Sequence, residues 1–476
     1  MVELMKASFL DRTLRNLRTA WQAIAGSEYD AEAASMRPHL PDDDVRRLRE
    51  QMLACLAARG GEVSARARAA ALGRAYLNLD ESGRQRFLKV LAEEFDVDRS
   101  GLDAAIAAVG KAGGDLESRR KAEAQLKKAL EAPRLRLLTQ FNGLPNGIKF
   151  LVDMRAELLS LARRDPLFRP LEADLKGLLA AWFDVGLLEL HEITWRSAPA
   201  ALLERLIAYE AVHAIKSWDD MKNRLAPDRR CFAFFHPRMP DEPLIFVEVA
   251  LVNGLAGDVQ HLLDESAPSQ DPRTANTAIF YSISNAQKGL AGISFGNFLI
   301  KRVVDVLAAE FKGLKTFATL SPVPGFRGWL DRALAEGEPR LLLAAERKAL
   351  KGIATTARGA KGTFKTVVGD PTWPEDPVAC EALRAPLMRL CARYLTQEKR
   401  PDGKALDPVA HFHLTNGARM ERLNWLADSS ANGLQQSAGI MINYLYKLGE
   451  IDDNHEAYSG AGKIAASSAI RSLAKG

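Results

Sequence analysis

Cysteine is scarce in this chain, with four in 476 residues, at Cys55, Cys231, Cys380 and Cys391. They lie too far apart to make a C-x-x-C pair, which argues against a zinc ribbon or a disulfide framework and for a reducing compartment. Long apolar runs are missing too. None approaches the roughly 20 residues that span a bilayer, and the first residues contain no secretory apolar segment. No membrane partner is expected. The last residues, Ala474-Lys-Gly476, are not a peroxisomal Ser-Lys-Leu, so a cytoplasmic protein is the simplest expectation. Nor is one sign of charge in excess: 65 Lys and Arg against 60 Asp and Glu leave +5, and the signs are interleaved. Nucleic acid is therefore not an expected partner.

What is present divides the chain into two textures. From residue 1 to about 188, apolar residues recur at three- and four-residue spacing. Turn signals at Ser64, Pro133 and Asn142–Gly147 punctuate them, which predicts an all-helical domain. Ala122, Leu126, Ala129 and Leu130 share one face there, with Lys127 and Lys128 turned away. Such a bundle more often braces or oligomerises than catalyses. From about residue 189, Cys231–His236 and Leu244–Leu251 are β-rich runs separated by prolines and read as a hairpin. Ala278–Ser284, Lys315–Leu320 and His411–Leu414 add three more predicted strands. The expected class is α+β, with a helical domain over 1–188 and a mixed α/β domain over 189–476. Residues 343–370, with Lys348, Lys351, Arg358, Lys361 and Lys365, read as a solvated, mobile basic insertion or as a flap over ligand phosphates. Helices are predicted over Ser429–Lys447 and Lys463–Ala474.

Three blocks carry chemistry. After the run Ala278–Ser284 come Gln287, Gly289, Gly292 and Gly296, then the amphipathic run Phe298–Leu307. Strand, glycine-spaced loop and helix together form a phosphate cradle, because glycines let backbone N–H groups approach an anion and the helix N-terminus attracts it. By itself that spacing is a weak signal. The second block, Thr319–Phe326, puts Ser321 just after a strand expected to run beside the one ending at Ser284. A turn serine satisfying a local amide is the plainer alternative. In the third block, His411-Phe-His413, strand alternation would set both imidazoles on one face. They are core histidines, or part of a metal site that lacks a third ligand, or they supply one imidazole for acid–base work.

In this order the blocks resemble the malonyl-CoA decarboxylase family. The resemblance is carried by Ala278–Ser284, Phe298–Val304, Leu320-Ser-Pro-Val-Pro-Gly-Phe326, Phe412-His-Leu-Thr-Asn-Gly-Ala418 and Asn424-Trp-Leu-Ala-Asp428, and runs from about His236 to Tyr458. It implies an acetyltransferase-like (GNAT) catalytic domain behind a helical domain, with tetramers formed through helical contacts. It also implies conversion of malonyl-CoA to acetyl-CoA and CO2 through an enolate. Ser321 and His413 match the family's catalytic pair. Ala291, Gly292, Ile293, Ser294, Phe295, Gly296 and Asn297 match the loop that holds the acyl-CoA, and Tyr446 matches a tyrosine of the pocket. Animal members have a glutamate where this chain has Ser294, and His411 matches no position required in the family. No pyridoxal, thiamine or biotin signature is evident and the thioester is itself an electron sink, so neither metal nor organic cofactor is expected. The alternatives are an acyltransferase of the same fold and a silent acyl-CoA sensor.

Overall fold

The computed structural model describes residues 17–24, 36–57, 61–113, 115–183, 185–293, 299–338, 341–350, 363–370 and 372–475. Its first part is helical, from Asp42–Leu56 to Arg169–Trp182. Asp80, Asp98 and Asp115 cap successive helices by accepting backbone N–H groups that the helices leave unpaired. An aromatic cluster fills the centre: Trp21 meets Phe150 at 4.9 Å and Tyr76 meets Phe87 at 5.0 Å, both edge to face. Arg99–Lys111 and Leu116–Ala129 each bury only one side chain, Ala105 and Ala122, and leave Ile106, Leu116 and Leu130 exposed.

The second part is built on one sheet of eight described strands: β1 (Glu189–Ile193), β2 (Arg229–Phe235), β3 (Ile245–Val252), β4 (Thr277–Asn285), β5 (Thr316–Thr319), β6 (Ser321–Pro322), β7 (Arg419–Asn424) and β8 (Met441–Leu445). Their order is β1-β2-β3-β4-β5-β8-β6, with β7 also on β8. An all-helical part followed by a mixed α/β part is the α+β architecture expected. The β2–β3 hairpin is antiparallel as expected, and β4 and β5 form the parallel pair, from Thr277 opposite Thr316 to Phe280 opposite Thr319. Beyond that point they separate. β4 runs on to Asn285, while the chain after β5 crosses to β8, where Ser321 pairs with Ile442. Opposite β3, Glu248 faces Ser282 and Val249 faces Phe280, so Tyr281 bulges from β4 where the strands part.

Three elements differ from the sequence reading. His411–Leu414 is not a strand but part of the helix Pro408–Thr415, because Asp407 accepts the N–H groups of Val409 and Ala410 at 3.0 Å and Pro408 fits the first helical turn. The helix expected over Ser429–Lys447 is the short helix Ala431–Ser437 followed by β8. It is broken where Ala438 and Gly439 take φ of 52° and 75°. The final helix spans only Ser468–Lys475. The flanks of the basic segment are folded: Glu346 pairs with buried Arg389 at 2.7 Å, and Phe364, Val367 and Val368 are buried. Residues 351–362 lie outside the described residues. Among the described residues no helix is long and apolar enough to cross a membrane.

Candidate active site

Ser321 and His413 come together from segments 92 residues apart, with Ser321 Oγ 3.0 Å from His413 Nε2. β5 and β8 fix the serine; the Asp407-capped helix fixes the histidine. Asp407 also joins the two, since its other oxygen accepts Gly325 N–H at 3.2 Å and the Tyr394 hydroxyl at 3.3 Å. A side chain at Gly325 would put Cβ 2.1 Å from that hydroxyl, so the turn after Ser321 needs glycine. Asn443, on β8, donates to the Thr319 carbonyl at 2.7 Å and accepts from Asn424 at 2.9 Å, which ties the end of β5 to β7 and β8.

The contacts extend into a line of four groups. Ser321 Oγ donates to Thr319 Oγ1 at 2.8 Å, and His413 Nδ1 lies 2.8 Å from the Tyr446 hydroxyl. Tyr444 stacks on the imidazole at 4.4 Å. All of these side chains are buried. Desolvation pushes the His413 pKa down to about 3 and the Tyr446 hydroxyl above its ordinary value. The imidazole is therefore neutral throughout the physiological range.

Around the pair lies a cavity of about 240 Å³ whose walls include Val212, Tyr281, Ile283, Ser321, Phe412 and His413. Asn285 and Phe412 also line a second cavity of about 490 Å³, bounded by Gln287, Lys288, Ala291, Gly292 and Ile293. Part of the expected binding loop thus adjoins the pair, with Gly292 in the left-handed region at φ 73°. The loop is held from the helical part: buried Arg155 donates to the carbonyls of Gly289 and Ala291, at 2.5 and 2.9 Å, and pairs with Glu172. Ser294, Phe295, Gly296 and Asn297 lie outside the described residues. In the second cavity, buried Asn416 Oδ1 and Thr415 Oγ1 have no protein partner.

His411 does not share a face with His413. Two residues on a helix differ by about 200° in direction, and His411 lines the second cavity with Nδ1 2.8 Å from the Tyr458 hydroxyl. Among the described residues no cluster of three or more His, Cys, Asp or Glu is arranged to hold a metal ion. A larger cavity of about 820 Å³ sits at the opposite ends of β4 and β5, beside Lys315 and Lys447; Tyr446 lines it, but neither Ser321 nor His413 does. Sequence reasoning missed Thr319, Asp407, Asn443 and Arg155 as site residues. Only Asp407 had a visible signal, as an Asp-Pro pair opening the histidine block.

Comparison with known proteins matches residues 186–476 to the malonyl-CoA decarboxylase C-terminal domain and residues 95–183 to the malonyl-CoA decarboxylase N-terminal domain. The chain is 39% identical over 409 residues to the mitochondrial malonyl-CoA decarboxylase of Mus musculus, covering 83% of this chain and 82% of that protein. To the one from Rattus norvegicus it is 41% identical over 365 residues, 74% and 73% of the two chains. The solved malonyl-CoA decarboxylase of Rhodopseudomonas palustris superposes with a TM-score of 0.82 at 44% identity, over 90% of this chain and 99% of that one. The cytoplasmic expectation is corrected by these comparisons, because both mammalian relatives are named as mitochondrial.

Proposed function

The chain belongs to the malonyl-CoA decarboxylase family, and from that premise we propose that it is a carboxy-lyase converting malonyl-CoA to acetyl-CoA and CO2. The observation that carries the reading is the convergence of Ser321 and His413 in a cavity beside the glycine loop. In this reading the malonyl group occupies the smaller cavity and the coenzyme arm runs along Ala291–Ile293.

Breaking the bond to the carboxylate leaves an electron pair that delocalises onto the thioester carbonyl. The developing enolate oxygen needs donors aimed at it; backbone N–H groups at the Tyr281 bulge, which lines the cavity, are the candidates. The carboxylate leaves most easily when held perpendicular to the thioester plane. Apolar walls at Val212, Ile283 and Phe412 favour its departure as neutral CO2. The carbanion carbon then takes a proton. Neutral His413 contributes through its N–H, and Tyr446 stands at Nδ1 to replace what is given.

The division near residue 188, a bracing role for the helical part, assembly as a homotetramer and a place in fatty acid metabolism belong to the same proposal. Exposed Ile106, Leu116 and Leu130 support assembly through the helices. Incubating the purified protein with malonyl-CoA alone tests the reaction: release of CO2 and acetyl-CoA is expected. Silence until an amine is added would favour an acyltransferase, and malonyl-CoA bound and recovered intact would favour a sensor.

A further inference from the structure

A serine hydroxyl has one proton, and Ser321 donates it to Thr319 Oγ1 at 2.8 Å. Its 3.0 Å contact with His413 Nε2 is then an imidazole N–H donating to the serine oxygen. With the neutral imidazole protonated at Nε2, Nδ1 accepts from the Tyr446 hydroxyl. A nucleophilic serine has the opposite order: its O–H donates to Nε2, so that the ring takes the proton as the oxygen attacks. Thr319 is fully buried, and its Oγ1 also accepts the Tyr444 backbone N–H at 3.1 Å, so it is held as an acceptor from two sides.

We propose that Thr319 is a positioning residue that turns the Ser321 proton away from His413, so that the pair donates a proton to the carbanion and does not acylate itself. The identity of the reaction rests on the decarboxylase reading; the proton order does not. Were Ser321 activated, its oxygen would attack the malonyl thioester carbonyl, expel the coenzyme thiolate and leave an acylated serine. With the observed order, the C–CO2 bond breaks, its electron pair enters the enolate, and Oγ–H turns to the carbon as the new C–H bond forms. Ser321 is reprotonated from Nε2 and His413 at Nδ1 from Tyr446; once the product has left, these protons shift back one place and water reprotonates Ser321, which restores Nε2–H, bare Nδ1 and the Tyr446 hydroxyl.

The test compares Thr319→Val and Thr319→Ser with the unaltered protein, reading CO2 release and the rate at which a fluorophosphonate probe labels Ser321. In Thr319→Val the serine proton has only Nε2 to turn to. Labelling is expected to quicken about tenfold and kcat to fall about tenfold, with KM within about twofold, while Thr319→Ser behaves like the unaltered protein. Ser321→Ala identifies the labelled site. Labelling that does not quicken in folded Thr319→Val, or unchanged kcat, would overturn the proposal. If that variant does not fold, nitrogen NMR of labelled histidine in the unaltered protein decides: a proton on Nε2 with bare Nδ1 supports the order, and the reverse refutes it. Absence of CO2 release by the unaltered protein would overturn the decarboxylase reading alone, since labelling and NMR judge the proton order without it.

Discussion

At the scale of single residues, the charge state of His413 governs the chemistry. Because desolvation lowers its pKa to about 3, the ring stays neutral as pH falls through the usual histidine range. The rate of CO2 release is therefore expected to show no inflection from this group between about pH 5 and about pH 8. Ser321→Ala and His413→Asn should each lower kcat by about two orders of magnitude in steady-state assays, with circular dichroism unchanged. Stability gives an independent check. The unfolded imidazole takes up a proton below its ordinary pKa of 6.5 and the buried one does not, so its contribution is present above that value and is lost as pH falls toward the folded one. On going from about pH 7.5 to about pH 5.5 this costs about 1.4 kcal/mol, a loss that His413→Asn should escape in denaturant titrations. Ser321 and His413 were legible because they stand in uncommon words of sequence. The neutrality of the imidazole was not, because it depends on Tyr444 closing over the ring from β8.

At the scale of elements, the helix Pro408–Thr415 and the turn after Ser321 act as one unit through Asp407. Burial raises this carboxyl's pKa, yet its hydrogen bonds to the N–H groups of Ala410, Gly325 and Val409 favour the charged form. Asp407→Ala removes both a helix cap and the anchor of Gly325. A loss of about 1 to 3 kcal/mol in thermal or denaturant unfolding is expected, together with a fall in kcat as the serine and imidazole drift apart. The Asp-Pro start signal was readable, but alternation in His-Phe-His also fits a strand, and local pattern could not choose between them. β6 and β8 were hidden for a related reason: β6 has two residues, and β8 follows a helical run with only Ala438-Gly439 as the break. By contrast, the run forming β4 is nine residues long and rich in β-branched and aromatic side chains, and it was plain in the sequence.

At the scale of the whole molecule, the helical part reaches into the site. Arg155 holds the carbonyls of Gly289 and Ala291, and a Cβ at Gly289 would sit 1.7 Å from the Val152 carbonyl, so helix and loop touch backbone to backbone. Arg155→Leu is expected to raise KM for malonyl-CoA by about tenfold with a smaller effect on kcat, because it frees the binding loop and leaves the Ser321–His413 contact intact. Composition and periodicity revealed two parts but not this bridge, which joins residues 134 and 136 positions apart. The central claim, that the malonyl group sits against Ser321 and His413 with its coenzyme arm along the glycine loop, is tested most directly by a crystal structure with a stable thioether analogue of malonyl-CoA. The account predicts the malonyl carbon that is to be protonated within reach of Ser321 Oγ and the arm passing Ala291–Ile293. An acyl group found instead in the cavity beside Lys315 and Lys447 would contradict it.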